Sequence, residues 1–348
     1  MTQKLKLTPP PKYEGDRPTQ ASLLERRDVL RDRHRDTLQE VNRLVVSQQK
    51  ISQELGEELA AMQDKGQRLD ALQAQEQEGG MLAALVRTFN RRRMILERRS
   101  VAEELLHRYE HVSQRLRQAS AFSDELRLTA LQMQEEVEKL HHERAQAMRN
   151  ERTAAQRVIE LEEQLQAIES GDLDVAAGER DQVMDRLQFE ERSESLSVEL
   201  FRAQSQLLRH EISPARGLRD TVMGMYEEMA QFVLAATARV NGAGRKIQAL
   251  GMAADAPTVI NELNESLAEL DVAMEATEVY VAQAQELLTR VLPEMSRQLQ
   301  DSQHSASLDL THDLNDMSRE RAAALADMAL REAAESEVES WLTNKKTL

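Results

Sequence analysis

Two pairs of glutamate and histidine have a spacing that is found in metal-binding helical bundles. Glu104 stands three residues before His107, and Glu138 stands three residues before His141. Di-iron four-helix proteins use this Glu-x-x-His spacing because residues three apart on a helix converge on one metal ion. Here the two pairs would lie about 50 Å apart along one predicted helix. His107 falls opposite the apolar stripe of that helix, and His141 lies only at its flank. We therefore predict that these two histidines, and His111 one turn after His107, are solvated surface residues and hold no metal ion.

The second pattern is an apolar face followed by arginines within residues 81–99. This stretch holds six Arg and one Glu, a local charge of +5. Such a face suits an anionic membrane surface, at about 1 kcal/mol per basic residue near it. The alternative is an apolar face packed inside a bundle with the arginines paired to acidic helices, which we favour because Arg92 and Arg93 interrupt the face. The candidate membrane or partner surface consists of Leu82, Leu85, Val86, Phe89, Arg91, Arg92, Arg93, Arg98 and Arg99.

Known catalytic signatures are absent from the sequence. There is no cysteine, which excludes disulfides, thiolate metal sites and thiol redox chemistry by this chain. There is also no glycine-rich phosphate loop, no nucleophile elbow and no Ser, His and Asp grouping in a recognisable context. We therefore predict a protein that is not an enzyme and that binds no cofactor.

The charge is acidic and unevenly spread. The net charge is −16, and residues 251–348 alone hold 7 Lys and Arg against 19 Asp and Glu. An acidic surface repels phosphate backbones, so we predict no general nucleic-acid binding. The N-terminus lacks the apolar core of a signal peptide, and no apolar run approaches the roughly 18 residues of a membrane span. We expect a cytoplasmic protein, with the inner face of the membrane as an alternative location through residues 81–99.

Residues 81–168 are predicted to form one very long central helix with a coiled-coil seam. From residue 105 onward the seam positions alternate steps of three and four residues over about nine heptads. A period of 3.5 residues keeps one stripe facing a partner helix, and at 1.5 Å per residue the helix would be about 130 Å long. Three polar residues break the apolar pattern of the seam: Ser123, Arg144 and Glu151.

Four further helices are predicted from apolar periodicity and breaker residues. Pro214 and Gly217 indicate a break between the third and fourth helices, and Pro293 indicates a kink in the last one. Gly56 and Gly66 lie inside the first helix, each at a cost of about 1 kcal/mol relative to Ala. The bounds of these helices are about 21–77, 179–212, 215–250 and 257–300.

Apolar stripes of similar length must bury one another, which predicts the fold class. We expect an all-α fold, an elongated antiparallel helical bundle or coiled coil over residues 21–300. The low aromatic content of 3% is typical of long helices in thin bundles. Residues 1–20 are predicted to be a disordered, proline-containing lead, and 301–348 an acidic, loosely attached helical tail. Trp341 is the candidate contact between this tail and the bundle or a partner.

Acidic, aromatic and alternating alanine residues recur in the last predicted helix of the bundle. They are Met274, Glu275, Ala276, Glu278, Tyr280, Ala282, Ala284, Glu286 and Leu288. This segment resembles the C-terminal helix of the TelA family of toxic-anion (tellurite) resistance proteins, and the order of elements along the chain is also similar to that family. The resemblance implies a cytoplasmic, all-helical protein that is linked to tellurite or envelope stress and acts through partners, with no catalytic residues to carry over.

The leading hypothesis is a non-enzymatic helical interaction protein that supports stress resistance through partner proteins. Without cysteine the chain cannot reduce tellurite by thiol chemistry, so any resistance would be indirect. One alternative is a structural coiled-coil scaffold for division, motility or cytoskeletal assembly, with the central seam mediating self-association. Another is a peripheral membrane-remodelling protein that acts through residues 81–99.

Overall fold

The structure is a computed structural model that describes residues 3–4, 11–77, 84–174, 178–252 and 257–297. In chain order its elements are β1 (Gln3–Lys4), α1 (Gln20–Gln77), α2 (Ala84–Ser170), β2 (Leu173–Asp174), α3 (Arg180–Met252), α4 (Pro257–Ala268) and α5 (Leu270–Glu286). A π-helical turn, Leu287–Val291, follows α5, and residues 292–297 are again helical. The two short strands pair in parallel. The predicted all-α antiparallel bundle is confirmed.

The chain divides into two compact units. Of the described residues, unit 1 contains 3–4, 11–37, 132–174, 178–218 and 295–297. Unit 2 contains 38–77, 84–131, 219–252 and 257–294. Helices α1, α2 and α3 each contribute residues to both units.

Ion pairs between α1 and α2 show that these helices run antiparallel, because the residue number on α2 falls as the number on α1 rises. In unit 2 the pairs are Arg43–Glu125 (2.5 Å), Glu54–Arg115 (2.8 Å), Glu58–Arg108 (2.9 Å) and Lys65–Glu104 (2.5 Å). In unit 1 the pairs are Arg26–Glu143 and Arg33–Glu136. Most of these side chains are partly exposed, so the pairs fix helix register more than they add stability.

The predicted seam of α2 is buried along its length. Leu105, Leu126 and Leu161 are fully buried, and two of the polar interruptions, Ser123 and Glu151, also point into the core. A buried carboxylate needs a charged or hydrogen-bonding partner. For Glu151 that partner includes Arg202 of α3, whose Nε lies 3.3 Å from its Oε1.

The predicted break at Pro214 is wrong. One helix, α3, runs from Arg180 to Met252 with Pro214 inside it. Proline removes one hydrogen bond of the helix and crowds the carbonyl four residues earlier, that of His210. The apolar neighbours Ile212 and Leu218 are 5% and 1% exposed, so packing on both sides holds the helix through this local defect. The separate helices predicted at 179–212 and 215–250 are therefore one element.

The last predicted helix, 257–300, is divided where the sequence suggested continuity. Helix α4 ends at Ala268, and the N–H of Glu269 still donates to the carbonyl of Glu265 at 3.2 Å. The irregularity expected at Pro293 lies just before it, in the π-helical turn, where the N–H of Leu292 donates to the carbonyl of Leu287. A wider turn accommodates the proline ring without breaking the helix. Residues 298–300 lie outside the described part of the chain.

The two glycines inside α1 are points of close helix approach in unit 2. A Cβ atom at Gly56 would lie 2.7 Å from Oγ1 of Thr277, and one at Gly66 would lie 2.2 Å from Cδ1 of Leu267. Since any side chain here would clash, the cost in helix propensity is offset by tight packing of α1 on α4 and α5.

Candidate functional site

Residues 11–19, which we call the strap, are ordered against α2 and α3 within unit 1. The expectation of a disordered lead is therefore wrong for these residues, whereas residues 5–10 lie outside the described chain. Pro18 is buried, and Tyr13 is half-buried. The strap has no helix or strand of its own, so side chains of the bundle must satisfy its backbone.

Asn150 on α2 binds the main chain of the strap at two points. The N–H of Glu14 donates to Oδ1 of Asn150 at 3.0 Å, and Nδ2 of Asn150 donates to the carbonyl of Glu14 at 3.0 Å. Nε2 of Gln146 donates to the same carbonyl at 2.7 Å. Asn150 is only 5% exposed, so its two bonds to Glu14 are partly shielded from water, whereas the Gln146 bond is exposed. The bundle thus contacts the main chain of the strap at Glu14, and Arg149 also donates to the Glu14 carboxylate at 3.1 Å.

Glu194 on α3 binds two side chains of the strap. The hydroxyl of Tyr13 donates to Oε2 of Glu194, and the guanidinium of Arg17 donates to Oε1 at 2.6 Å. The guanidinium carbon of Arg17 also lies 4.7 Å from the centre of the Tyr13 ring, a cation–π contact. Glu194 is 5% exposed, and each of its two carboxylate oxygens accepts a hydrogen bond from the strap.

The Tyr13 ring packs against buried apolar side chains of α2 and α3. Its centre lies 5.1 Å from that of Phe201, which packs with Ala154 and Val198 in one buried cluster. Burial, together with the hydrogen bond to the Glu194 carboxylate, raises the pKa of Tyr13 well above its usual value. The phenol therefore stays protonated and remains a hydrogen-bond donor at any physiological pH.

Gly15 forms a turn in the strap between the residue that binds Asn150 and the arginine that binds Glu194. Its φ of +83° is a left-handed conformation, which glycine adopts without strain. This turn follows the two-point contact of Glu14 with Asn150 and precedes the Arg17 contact with Glu194. The strap therefore presents Tyr13 before the turn and Arg17 after it, and both side chains reach Glu194.

A second polar cluster in unit 1 surrounds His34 of α1. Its Nδ1 lies 2.7 Å from Oε2 of Glu211 on α3, and both residues are buried. Next to them is a cleft of about 50 Å³, lined in part by Thr37, Leu140 and Leu218, with room for a few water molecules. The Thr37 hydroxyl donates to the carbonyl of Arg33 at 2.9 Å, so it is held by its own helix and not activated by His34.

His141 contradicts the prediction of a solvated surface residue, since it is only 4% exposed. Its Nε2 lies 2.7 Å from a guanidinium nitrogen of Arg216 on α3. A guanidinium only donates, so Nε2 accepts and the ring is neutral with its proton on Nδ1. Burial, with Arg216 and Arg144 nearby, lowers the pKa of His141 from 6.5 to about 4. The burial arises because α2 packs against α1 and α3, which widens its buried face beyond the seam.

The other members of the Glu-x-x-His pairs are engaged with neighbours. Glu104 is bonded by Lys65 at 2.5 Å, which lowers the pKa of its carboxyl, and His107 is exposed. The rings of His107 and His111 meet edge to face with centres 4.4 Å apart. In the described part of the chain, no group of three or more His, Asp or Glu side chains is placed to hold a metal ion.

The predicted surface at 81–99 is described only in part. Leu82 and the tail residue Trp341 lie outside the described residues, as do the side chains of Leu85, Val86, Phe89, Arg91, Arg92 and Arg93. Leu96 is 66% exposed and Arg99 is exposed, whereas Arg98 is buried. Arg98 is thus not part of an accessible surface in this structure.

Residues 274–288, with their acidic, aromatic and alternating alanine positions, lie on α5 and the π-helical turn of unit 2. Tyr280 is internal to the unit: its hydroxyl donates to the carbonyl of Glu228 at 3.0 Å, and its ring meets Phe232 edge to face. Ala284 is fully buried. Burial raises the pKa of Tyr280, so its hydroxyl also remains a donor.

Sequence reasoning missed the strap contacts entirely. Two signals pointed to them: a tyrosine and an arginine around Gly15 in a lead otherwise predicted to be disordered, and Asn150 beside the inward-facing Glu151. Neither signal identifies its partner, because the contacting residues are more than 130 positions apart.

Comparison of the chain with family models, with curated proteins and with solved structures found no match. Within the residues that the structure describes, no helix is long and apolar enough to cross a membrane.

Proposed function

We propose that this chain is a non-enzymatic interaction protein that binds a partner helix through an exposed face of α5. The observation that carries the proposal is a pair of valines, Val272 and Val279, each 53% exposed and seven residues apart. Residues at this spacing share one face of a helix. Glu275 and Glu278 are also exposed and lie toward one flank of the valine pair. We call these four residues the α5 face.

The α5 face has the composition of half a coiled-coil seam. Its opposite side is occupied inside unit 2, where Leu270, Ala273 and Thr277 are buried. Two apolar side chains one heptad apart, flanked by carboxylates, fit a partner helix with apolar residues at heptad spacing and Lys or Arg beside them. The α5 face overlaps residues 274–288, the segment whose sequence resembles the TelA family. This resemblance supports toxic-anion or envelope stress as the setting in which the partner acts.

Charged substitutions on the α5 face test this proposal. Val272→Glu combined with Val279→Glu removes two apolar contacts with the partner helix, each worth about 1.5 kcal/mol of binding free energy. It also adds two negative charges beside Glu275 and Glu278. We expect capture of the principal partner in a crosslinked pull-down from the native host to fall at least tenfold, measured by quantitative mass spectrometry. The matched control is Val46→Glu, the same substitution at a 49% exposed position on α1 of unit 2.

The proteins enriched by the wild-type chain decide the biological setting. Stress-resistance or envelope proteins that depend on the α5 face support the proposal as stated. Enrichment of filament or division components would instead assign the scaffold role. Equal capture by the α5-face variant and by Val46→Glu would refute the α5 face as the binding surface.

A second candidate function is contact with an anionic membrane through residues 81–99. It is favoured by Leu96 and Arg99, which lie three residues apart and are both exposed, an apolar side chain beside a cation. We expect the wild-type protein to co-sediment with phosphatidylserine-containing liposomes and Phe89→Glu to abolish this binding. Phe189→Glu, at a 74% exposed position on α3, is the control that should leave binding unchanged. Failure of the wild type to bind would dispose of this candidate.

A further inference from the structure

The strap covers a groove of α2 and α3 whose polar groups match the donors and acceptors of the strap. Asn150 and Glu194 are each 5% exposed beneath it. Removing the strap would take away the donors that reach Oε1 and Oε2 of Glu194 and both main-chain partners of Asn150. Water would then reach both side chains, so the groove could open without leaving a buried charge unpaired. An occupant with the same donors would displace that water and restore the hydrogen bonds.

The strap itself is suited to leave. It has no helix or strand of its own, and most of its residues are exposed, including Lys12, Gly15 and Asp16. Its apolar anchorage consists of the Tyr13 ring on Phe201, the buried Pro18 and the partly buried Pro11. Segments with few buried apolar contacts open at low free energy compared with the core of a domain.

We propose that this groove is a peptide-binding site, that the strap is its internal competitor, and that its ligand in another protein is a Tyr-x-Gly-x-Arg segment that turns at the glycine. Asn150 reads the main chain of the residue after the tyrosine, Phe201 receives the ring, and Glu194 binds both the phenol and the arginine. The glycine is required at the left-handed turn. This site lies in unit 1 and goes beyond the proposed helix-binding role of the α5 face in unit 2.

The chemistry of Glu194 also sets a specificity against tyrosine phosphate. A phosphorylated tyrosine carries a charge of about −1.5 to −2 and has no hydroxyl to donate. Placed against a buried carboxylate, it would meet like charge at hydrogen-bond distance and lose the bond that Tyr13 makes. The site thus discriminates a free phenol from its phosphate ester, the reverse of an arginine-lined phosphotyrosine pocket.

Competition by the tethered strap determines how tightly a free peptide binds. A short tether presents its ligand at an effective concentration on the order of 1 mM. The apparent affinity for a free peptide equals the intrinsic affinity multiplied by the fraction of molecules whose groove is open. Loosening the strap by Tyr13→Ala with Arg17→Ala removes both of its Glu194 contacts and should strengthen peptide binding at least tenfold.

The test uses the full-length chain and a fluorescent peptide corresponding to residues 11–19. Fluorescence anisotropy should show binding to the Tyr13→Ala, Arg17→Ala variant at least tenfold tighter than to the wild type. Adding Asn150→Ala to that variant should abolish binding. A peptide with alanine in place of its tyrosine, or with phosphotyrosine there, should bind at least tenfold more weakly than the parent peptide.

Three outcomes would overturn the proposal. The first is no peptide binding by the loosened variant when its circular dichroism spectrum and thermal melting match the wild type. The second is equal binding by the wild type and the loosened variant, which would exclude the strap as a competitor. The third is undiminished binding of the phosphopeptide. If the double variant does not fold, the single variant Arg17→Gln replaces it in the same comparison. These assays use purified components and do not depend on the α5 face.

Discussion

We expect Gly244→Ala to lower the free energy of unfolding by about 2 kcal/mol, although alanine is the better helix former by about 1 kcal/mol. A Cβ atom at position 244 of α3 would lie 2.2 Å from Cε2 and 2.3 Å from Cζ of Tyr109 on α2. An aromatic ring is rigid, so relief requires movement of the whole side chain or of a helix. The expected loss can be measured by urea denaturation followed by circular dichroism at 222 nm.

Two other glycines of the same helix provide matched controls. A Cβ atom at Gly224 or at Gly242 would have no neighbouring atom within 4 Å. Alanine at either position should therefore stabilise the protein by up to about 1 kcal/mol. In a Tyr109→Ala background, Gly244→Ala should also become neutral or stabilising, since the clash is gone. A Gly244→Ala protein as stable as Gly224→Ala would show that α2 and α3 do not approach each other this closely.

The long-range periodicity of α2 was predictable because one physical requirement repeats at every heptad. Each seam position must face a neighbouring helix, so Leu105, Leu126 and Leu161 follow a rule that a single sequence displays. The same holds for α1, whose bounds of Gln20–Gln77 differ from the prediction by one residue at its start. Element type and core-facing residues therefore follow from spacing alone.

Other features depend on packing between distant residues and could not be predicted in this way. Pro214 disfavours a helix locally, yet Ile212 and Leu218 are buried on either side and α3 continues. Gly56 weakens α1 locally, but its missing side chain admits Thr277 of α5. Local propensity correctly identifies Gly56 and Pro214 as unfavourable for a helix. It predicts the wrong structure at Pro214, because tertiary packing outweighs about 1–3 kcal/mol of backbone preference.

The candidate site shows the same limit more strongly. The strap combines Pro, Gly and charged residues, which resemble a disordered tail in composition. Its order depends on Asn150 and Glu194, and nothing in the local sequence of the strap specifies either. The burial of His141 has the same origin, because a seam describes one partner helix, whereas α2 packs against both α1 and α3.

Buried His141 should make the protein lose stability between about pH 6.5 and pH 4. Its pKa is about 4 in the folded protein and 6.5 as the ordinary value, so the unfolded chain binds more protons in this window. Stability therefore falls as the pH drops through 6.5 and levels off below about 4. A shift of this size corresponds to about 3 kcal/mol, as an upper estimate.

Comparison with His141→Gln isolates this contribution from the carboxylates that titrate in the same range. Glutamine keeps an acceptor for Arg216 but takes up no proton, so the stability of the wild type relative to this variant should decline by up to about 3 kcal/mol from pH 7 to pH 4. His142→Gln, at the exposed neighbouring position, should reproduce the wild-type profile. Parallel pH profiles for the wild type and His141→Gln would mean that the imidazole accepts its proton in the folded state, which the Arg216 guanidinium at 2.7 Å should prevent.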